Sequence, residues 1–204
     1  MSARPDDLLD LVHFIVNDQV DEVTRRVTAN PALARMAFAE GATRESRSTF
    51  FFPGISHYLY GGDTPLHMAA ATFSRPQAEL LIIAGADVRA RNRRGAEPLH
   101  YAADANHWSP VAQAETITYL IRAGSDPNAV DDSGVAPLHR AVRTRSSAAV
   151  KALLDGGANP HQPNKSGSLP MDLAVQTTGR GGSGTPHAKE EQAAIIKLLQ
   201  AAGA

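Results

Sequence analysis

Leu8, Leu9, Leu11, Val12, Ile15 and Val16 recur at helical spacings behind Asp6 and Asp7, which suit the positive end of a helix, so residues 6–17 are expected to be helical. Val20, Val23 and Val27 carry a second helical stripe over residues 18–29, which Asn30-Pro31 ends, because proline disfavours helix in the residue before it. Further along, short apolar clusters opened by a proline alternate with longer ones closed by a glycine. Leu80, Leu81 and Ile83 mark a helix over about 77–84 stopped by Gly85; Ile117, Leu120 and Ile121 mark one over about 113–123 stopped by Gly124. Val150, Leu153 and Leu154 precede Gly157, and Ile195, Ile196, Leu198 and Leu199 line a last helix over about 189–202.

The clusters opened by proline are copies of one another. Gly62-Asp63-Thr64-Pro65-Leu66-His67-Met68-Ala69-Ala70 is the fullest, followed by Gly95-Ala96-Glu97-Pro98-Leu99-His100-Tyr101-Ala102-Ala103. Gly134-Val135-Ala136-Pro137-Leu138-His139 and Gly167-Ser168-Leu169-Pro170-Met171-Asp172 are weaker ones. The leading glycines at 62, 95, 134 and 167 are 33, 39 and 33 positions apart. In each copy proline takes the first helical position, where its missing N–H costs nothing, and in the fullest copy Thr64 is a suitable N-cap.

The period and the Thr-Pro-Leu-His start resemble the ankyrin repeat family. The resemblance implies an all-α solenoid of stacked helix-turn-helix units joined by β-hairpin-like fingers. One continuous domain is expected. It would comprise an N-terminal helical cap over 6–35, an aromatic-rich insert over 36–61, and repeats over 62–94, 95–133 and 134–166. A fourth repeat over 167–204 would carry a Gly/Ser-rich insert and a C-terminal cap. Within that frame Asn30 to Arg35 resembles the hairpin that follows such caps. Alanines such as Ala69 and Ala70 face neighbouring helices that approach closely.

Three segments depart from the regular period. Roughly twenty additional residues separate the cap from Gly62, a length that connections seldom reach without a purpose. They include Phe38, Phe50, Phe51, Phe52, Tyr58 and Tyr60, which either finish the core under the first repeat or form an aromatic binding loop. About six extra residues fall around Asn106 to Val111, with the sole tryptophan, Trp108. A dozen more separate the helices of the fourth repeat, including the flexible tract from Thr177 to Gly184.

Composition narrows the chemistry. A net charge of −1 gives no global pull toward nucleic acid or an anionic membrane, and no apolar run reaches the roughly 18 residues of a membrane span. The first sixteen residues are unlike a signal peptide, so a cytoplasmic location is expected. The absence of cysteine removes disulfides, thiolate metal sites and a cysteine nucleophile. His67, His100 and His139 stand at equivalent points of separate repeats, as the family's structural histidine does, and no ligand pair of metal spacing accompanies them. Thr64 is replaced by Glu97, Ala136 and Leu169 in the later copies, which predicts looser turns there. The glycine tract lacks the Gly-Lys-Ser/Thr ending of a phosphate loop, and Ser183 lacks a nucleophile-elbow context. No cofactor, no metal and no enzymatic activity are expected.

Arg89, Arg91, Arg93 and Arg94 make one finger basic, whereas Asp126, Asp131 and Asp132 make the next acidic. The two either pair with each other or offer a landing site for an acidic partner. The resemblance further implies a protein partner bound along the finger tips and the exposed edge of each first helix. In this chain that strip includes Tyr60 and Asp63, then Arg93, Arg94, Asp104 and Trp108, then Asp132, Val135, Arg143 and Lys165. The expected function is a monomeric protein-binding module with no nucleic-acid or membrane partner. One alternative is an inhibitor or immunity-type protein that blocks an enzyme with residues 41–61; another is a small enzyme using His57, Asp63 or His107.

Overall fold

The computed structural model describes residues 5–43, 45–46, 48–104, 109–176 and 184–204. Its helices form two parallel rows. Helices α1 (Pro5–Val16), α3 (Pro65–Ala71), α5 (Pro98–Ala102), α7 (Pro137–Arg143) and α9 (Pro170–Val175) stack in sequence as an inner row, α1 on α3, α3 on α5 and so on. Helices α2 (Val20–Ala29), α4 (Arg75–Ile83), α6 (Pro110–Arg122), α8 (Ser147–Asp155) and α10 (Pro186–Ala201) stack likewise as the outer row. The first hairpin therefore sits in the stack as a further helix pair.

Small side chains set the spacing of the inner row. Ala69, Ala102, Ala141 and Ala174 hold the same register in successive inner helices, and each is buried. Leu66, Leu99 and Leu138, one turn earlier, fill the space between the rows. From the outer row, Leu81, Ile117, Leu120, Val150, Leu153, Ile195 and Leu199 point inward. Ile83 does not follow its predicted face; it is 77% exposed at the end of α4.

The outer helices end alike. Gly85, Gly124 and Gly157 all lie at positive φ, and the two amides of each closing turn bond back to the last turn, as in Gly85 N–H to Ile82 C=O (2.9 Å) and Ala86 N–H to Leu81 C=O (2.9 Å). This is the Schellman arrangement, which satisfies helix carbonyls otherwise left open. Helix α6 begins fourteen positions before its closing glycine, where α4 and α8 begin ten before theirs. Four of the six extra residues of the second repeat thus lengthen this helix. Residues 105–108, Trp108 and His107 among them, lie outside the described residues, as do 177–183 of the glycine tract.

Fingers between the repeats share an internal design. In the second finger Asn92 N–H bonds Ala96 C=O (3.0 Å), while the Asn92 side-chain oxygen accepts Arg94 N–H (2.9 Å) and Ala96 N–H (3.1 Å). Asp131 does the same with Ser133 and Val135, and Asn164 with Ser166 and Ser168. A short polar side chain that bonds its own turn explains why these hairpins hold without strand pairing. Neighbouring fingers are joined by single backbone bonds, Arg93 N–H to Gly61 C=O (2.8 Å), Asp132 N–H to Arg94 C=O (2.9 Å) and Lys165 N–H to Ser133 C=O (3.2 Å).

After the cap, Pro31–Arg35 forms a 3-10 turn where a hairpin was expected. The insert then builds a decorated finger of its own. Strands β1 (Phe51–Phe52) and β2 (His57–Tyr58) pair antiparallel, Phe51 with Tyr58 and Phe52 with His57. Ala42 N–H bonds Leu59 C=O (2.8 Å) across the insert, while Gly62 N–H bonds Phe38 C=O (2.7 Å) and Phe38 N–H bonds Asp63 C=O (2.9 Å), which sews the start of the insert to the first repeat. The approach at Gly41 is so close that a Cβ would stand 2.4 Å from the Gly61 nitrogen, a contact only glycine permits. Phe52, Ile55 and Leu59 are buried, Phe38, Phe50 and Tyr60 pack partly against the core, and Phe51 is 37% exposed. Of the two accounts of the aromatic enrichment, core completion describes most of these side chains.

Candidate functional site

Each repeated histidine is a structural strut. Backbone N–H groups of Thr64, Glu97 and Ala136 donate to Nδ1 of His67, His100 and His139 at 3.1, 3.1 and 3.2 Å. An accepting Nδ1 leaves the proton on Nε2, which donates to the carbonyls of Ala96, Val135 and Ser168 in the following finger at 3.1, 3.1 and 3.3 Å. Burial pushes all three imidazoles down, His100 to about 3, so they are neutral. In the fourth copy the Asp172 carboxylate takes the Leu169 N–H at 2.8 Å. The expectation of looser later turns is corrected here: losing threonine removes only the hydroxyl contact seen at Thr64 (3.0 Å), and the amide tie persists.

A groove of about 840 Å³ runs along the concave side. The insert closes one side with Ser56, His57, Tyr58 and Tyr60; fingers supply Arg94, Asp131, Ser133 and Val135. Asp104, just past the end of α5, and Arg140 and Arg143 of α7 contribute, and Gln192 and Ile195 of α10 reach it from the far end.

Two polar assemblies lie in its floor. In the first, Asp63 is 0% exposed and accepts from Tyr60 N–H (2.6 Å), Asn92 Nδ2 (2.9 Å) and the Tyr101 hydroxyl (2.7 Å). Burial, reinforced by the Asp63 carboxylate, pushes the Tyr101 hydroxyl pKa far up, so it remains a donor. His57 packs edge-on against Tyr101 at 4.4 Å between ring centres. In the second, Arg140 donates to Asp104 (2.8 Å) and Asp131 (2.9 Å), and Arg143 approaches Asp104 at 3.6 Å. Burial alone would raise the Asp131 carboxyl, but the bonds from Arg140 and from the Val135 and Ser133 amides outweigh it and hold the pKa low.

These assemblies change the picture of the predicted strip. Asp63 and Asp104, expected at the surface, are buried: the Tyr60 amide, Asn92 and the Tyr101 hydroxyl bond the first, and Arg140 and Arg143 bind the second. Tyr60 is half-buried under two guanidinium groups, Arg94 at 4.9 Å and Arg93 at 5.6 Å from its ring centre. Arg93 also donates to the Ala42 carbonyl, which fastens the insert to the finger. Arg94 and Arg143 are exposed and Val135 half-exposed, all facing the groove. Asp132 and Lys165 sit on the finger rim, where Lys165 Nζ donates to the Asp132 carbonyl at 2.5 Å. Trp108 lies outside the described residues.

The basic and acidic fingers meet less by charge than expected. Arg91 pairs with Asp132 at 3.7 Å, both well exposed, while Arg89 and Arg91 bond the carbonyls of Gly124 and Val130. Asp131 turns inward to Arg140 instead. Sequence reasoning missed the turn-bonding role of Asn92, Asp131 and Asn164 and the bridging role of Arg140. The first three were visible as an Asn or Asp three positions before each later finger glycine. Nothing in the sequence marks Arg140 as a bridge between two repeats.

Residues 61–93 and 94–132 each match the ankyrin repeat pattern, and residues 120–174 match a pattern of multiple ankyrin repeats. The chain belongs to the ankyrin repeat family. Among curated relatives, this ankyrin array is 39% identical over 94 residues to the E3 ubiquitin-protein ligase KEG of Arabidopsis thaliana, spanning 46% of this chain and 6% of that protein. It is 37% identical over 94 residues to neurogenic locus notch homolog protein 1 of Danio rerio, spanning 46% and 4%. The chain thus matches about a twentieth of the length of these relatives, which share an ankyrin-bearing segment with it. Among the described residues no helix is long and apolar enough to cross a membrane.

Proposed function

We propose that this ankyrin array is a non-enzymatic protein-binding module that holds a partner in its concave groove and along its finger tips. The observation that carries the reading is the continuity of the groove, from the insert across two fingers to the last helix. Its wall residues are fixed by the histidine struts and by the Asn92-type turns, so binding freezes few backbone degrees of freedom. Among the groove's side chains Arg94, the half-exposed Val135 and Arg143 come from three different elements that the stack alone brings together.

A photo-crosslinking residue at Val135, in the groove, or at Ile83, on the outer row, tests this in cells of the source organism. The expected result is one protein captured from Val135 and absent at Ile83. Capture from Ile83 alone, or from neither position, refutes the groove as the binding face.

A further inference from the structure

The groove carries a charge of its own that the whole chain does not. Four arginines, Arg94, Arg140, Arg143 and Arg145, line it against two aspartates, Asp104 and Asp131, an excess of two positive charges in a protein whose net charge is −1. The excess is not evenly used. Arg140 is consumed between the two carboxylates, and Arg145, 7% exposed, donates to Gln176 C=O (2.9 Å), Gln192 Oε1 (3.0 Å) and Ala188 C=O (3.3 Å).

Arg94 and Arg143 are different. Among the described residues the Arg94 guanidinium has no hydrogen-bond or ion-pair partner; it is only laid over the Tyr60 ring, 4.9 Å from its centre. That stacking holds the planar fork in place while leaving its N–H donors open. Among the described residues Arg143, with 52% of its side chain exposed, has one loose ion-pair contact, to Asp104 at 3.6 Å, and that carboxylate is already bonded to Arg140 at 2.8 Å. Arg94 stands on a finger and Arg143 on α7, so the two open guanidinium groups face the groove from different elements.

Resting on the groove as the binding face, we infer that its occupant is an acidic peptide segment of the partner protein, whose carboxylates pair with Arg94 at the insert end and with Arg143 beyond it. Fork-to-carboxylate pairing suits these groups better than a single point charge would. A nucleic acid fits less well: two open arginines supply few phosphate contacts, and the exposed rim beside them carries Asp132.

The intact protein is titrated with fluorescein-labelled peptides of about 12 residues alternating glycine with Glu, Gln or Lys, and with an oligothymidylate of equal length, at about 50 and 300 mM salt. The Glu peptide is expected to bind at least about tenfold tighter than the Gln peptide and to weaken with salt. Arg94→Gln removes a guanidinium whose contact among the described residues is the half-buried Tyr60 ring and is expected to leave the melting temperature near that of the parent; this variant and Arg143→Glu are each expected to weaken the Glu peptide several-fold. Lys151→Glu on the outer row is expected to leave it unchanged. Equal binding of Glu and Gln peptides, binding of neither, tighter binding of the oligothymidylate, or indifference to Arg94→Gln overturns the acidic occupant. Crosslinking from Val135 is blind to the charge of the occupant, so it separates failure of this inference from failure of the groove itself.

Discussion

The Tyr101 hydroxyl lies 2.7 and 2.9 Å from the two carboxylate oxygens of Asp63, joining the inner helix of the second repeat to the turn that opens the first. Among the described residues Asp63 pairs with no cation and is held by neutral donors, Tyr101, Asn92 and the Tyr60 amide. Removing one donor leaves a buried charge short of a partner. Tyr101→Phe is expected to cost about 1–3 kcal/mol in urea unfolding, although it keeps the ring and its contact with His57. An unchanged midpoint would mean that water replaces the hydroxyl.

The insert's side chains divide sharply. Leu59 is wholly buried, and Leu59→Ala is expected to cost about 2–5 kcal/mol. Phe51 touches Tyr58 at 4.8 Å between ring centres but is 37% exposed, so Phe51→Ala should cost less than about 1 kcal/mol. Thermal melts of the two variants side by side test whether the insert is core or appendage; equal losses would contradict the packing described here.

Acid should loosen the stack through its struts. His67, His100 and His139 have lowered pKa values in the fold, His100 to about 3, so below about 6.5 the unfolded chain binds protons that the folded chain does not. Their contribution is complete above that pH and is lost as pH falls toward 3. Glu97, pushed up by burial, works in the opposite sense and blunts the loss. The urea midpoint is expected to fall between pH 7 and pH 5, and to fall less in His100→Asn, which keeps a side chain able to bond the Glu97 amide.

Ala69 is fully buried at the contact between inner helices, and Ala69→Leu forces several extra carbon atoms into that contact. A loss of about 1–3 kcal/mol is expected, read as a lower melting temperature. Ala193→Leu, on the exposed face of α10, is the control that should melt as the parent protein does.

The helices, the glycine stops and the stacking alanines were legible because each is dictated locally: proline fixes a start, glycine permits a left-handed stop, and only a small side chain fits between helices. The groove's chemistry was not legible for the opposite reason. Asp63 has Ala96, Val135 and Ser168 at the equivalent positions of the later repeats, so its buried bonds to Tyr101 and Asn92 follow no repeated pattern, and the Tyr60 amide that completes them belongs to an insert whose path no period predicts. Arg140 bridges Asp104 and Asp131 across a repeat boundary, so its role depends on three residues spread over two units. Ile83 shows where an apolar run misleads: two positions past the inward-facing Leu81 it falls on the opposite side of α4, while Ile82 beside it packs against the core.

From Gly85 to Gly95, Gly124 to Gly134 and Gly157 to Gly167 the chain always advances ten positions, whereas the span before each stop varies with the insertions. Fingers are therefore the metered part of the repeat and the approach to the outer helix the elastic one, as the extra turn of α6 demonstrates. A designer wishing to splice a foreign segment into this scaffold should cut just ahead of an outer helix, where length is forgiven, and leave every finger at its natural count.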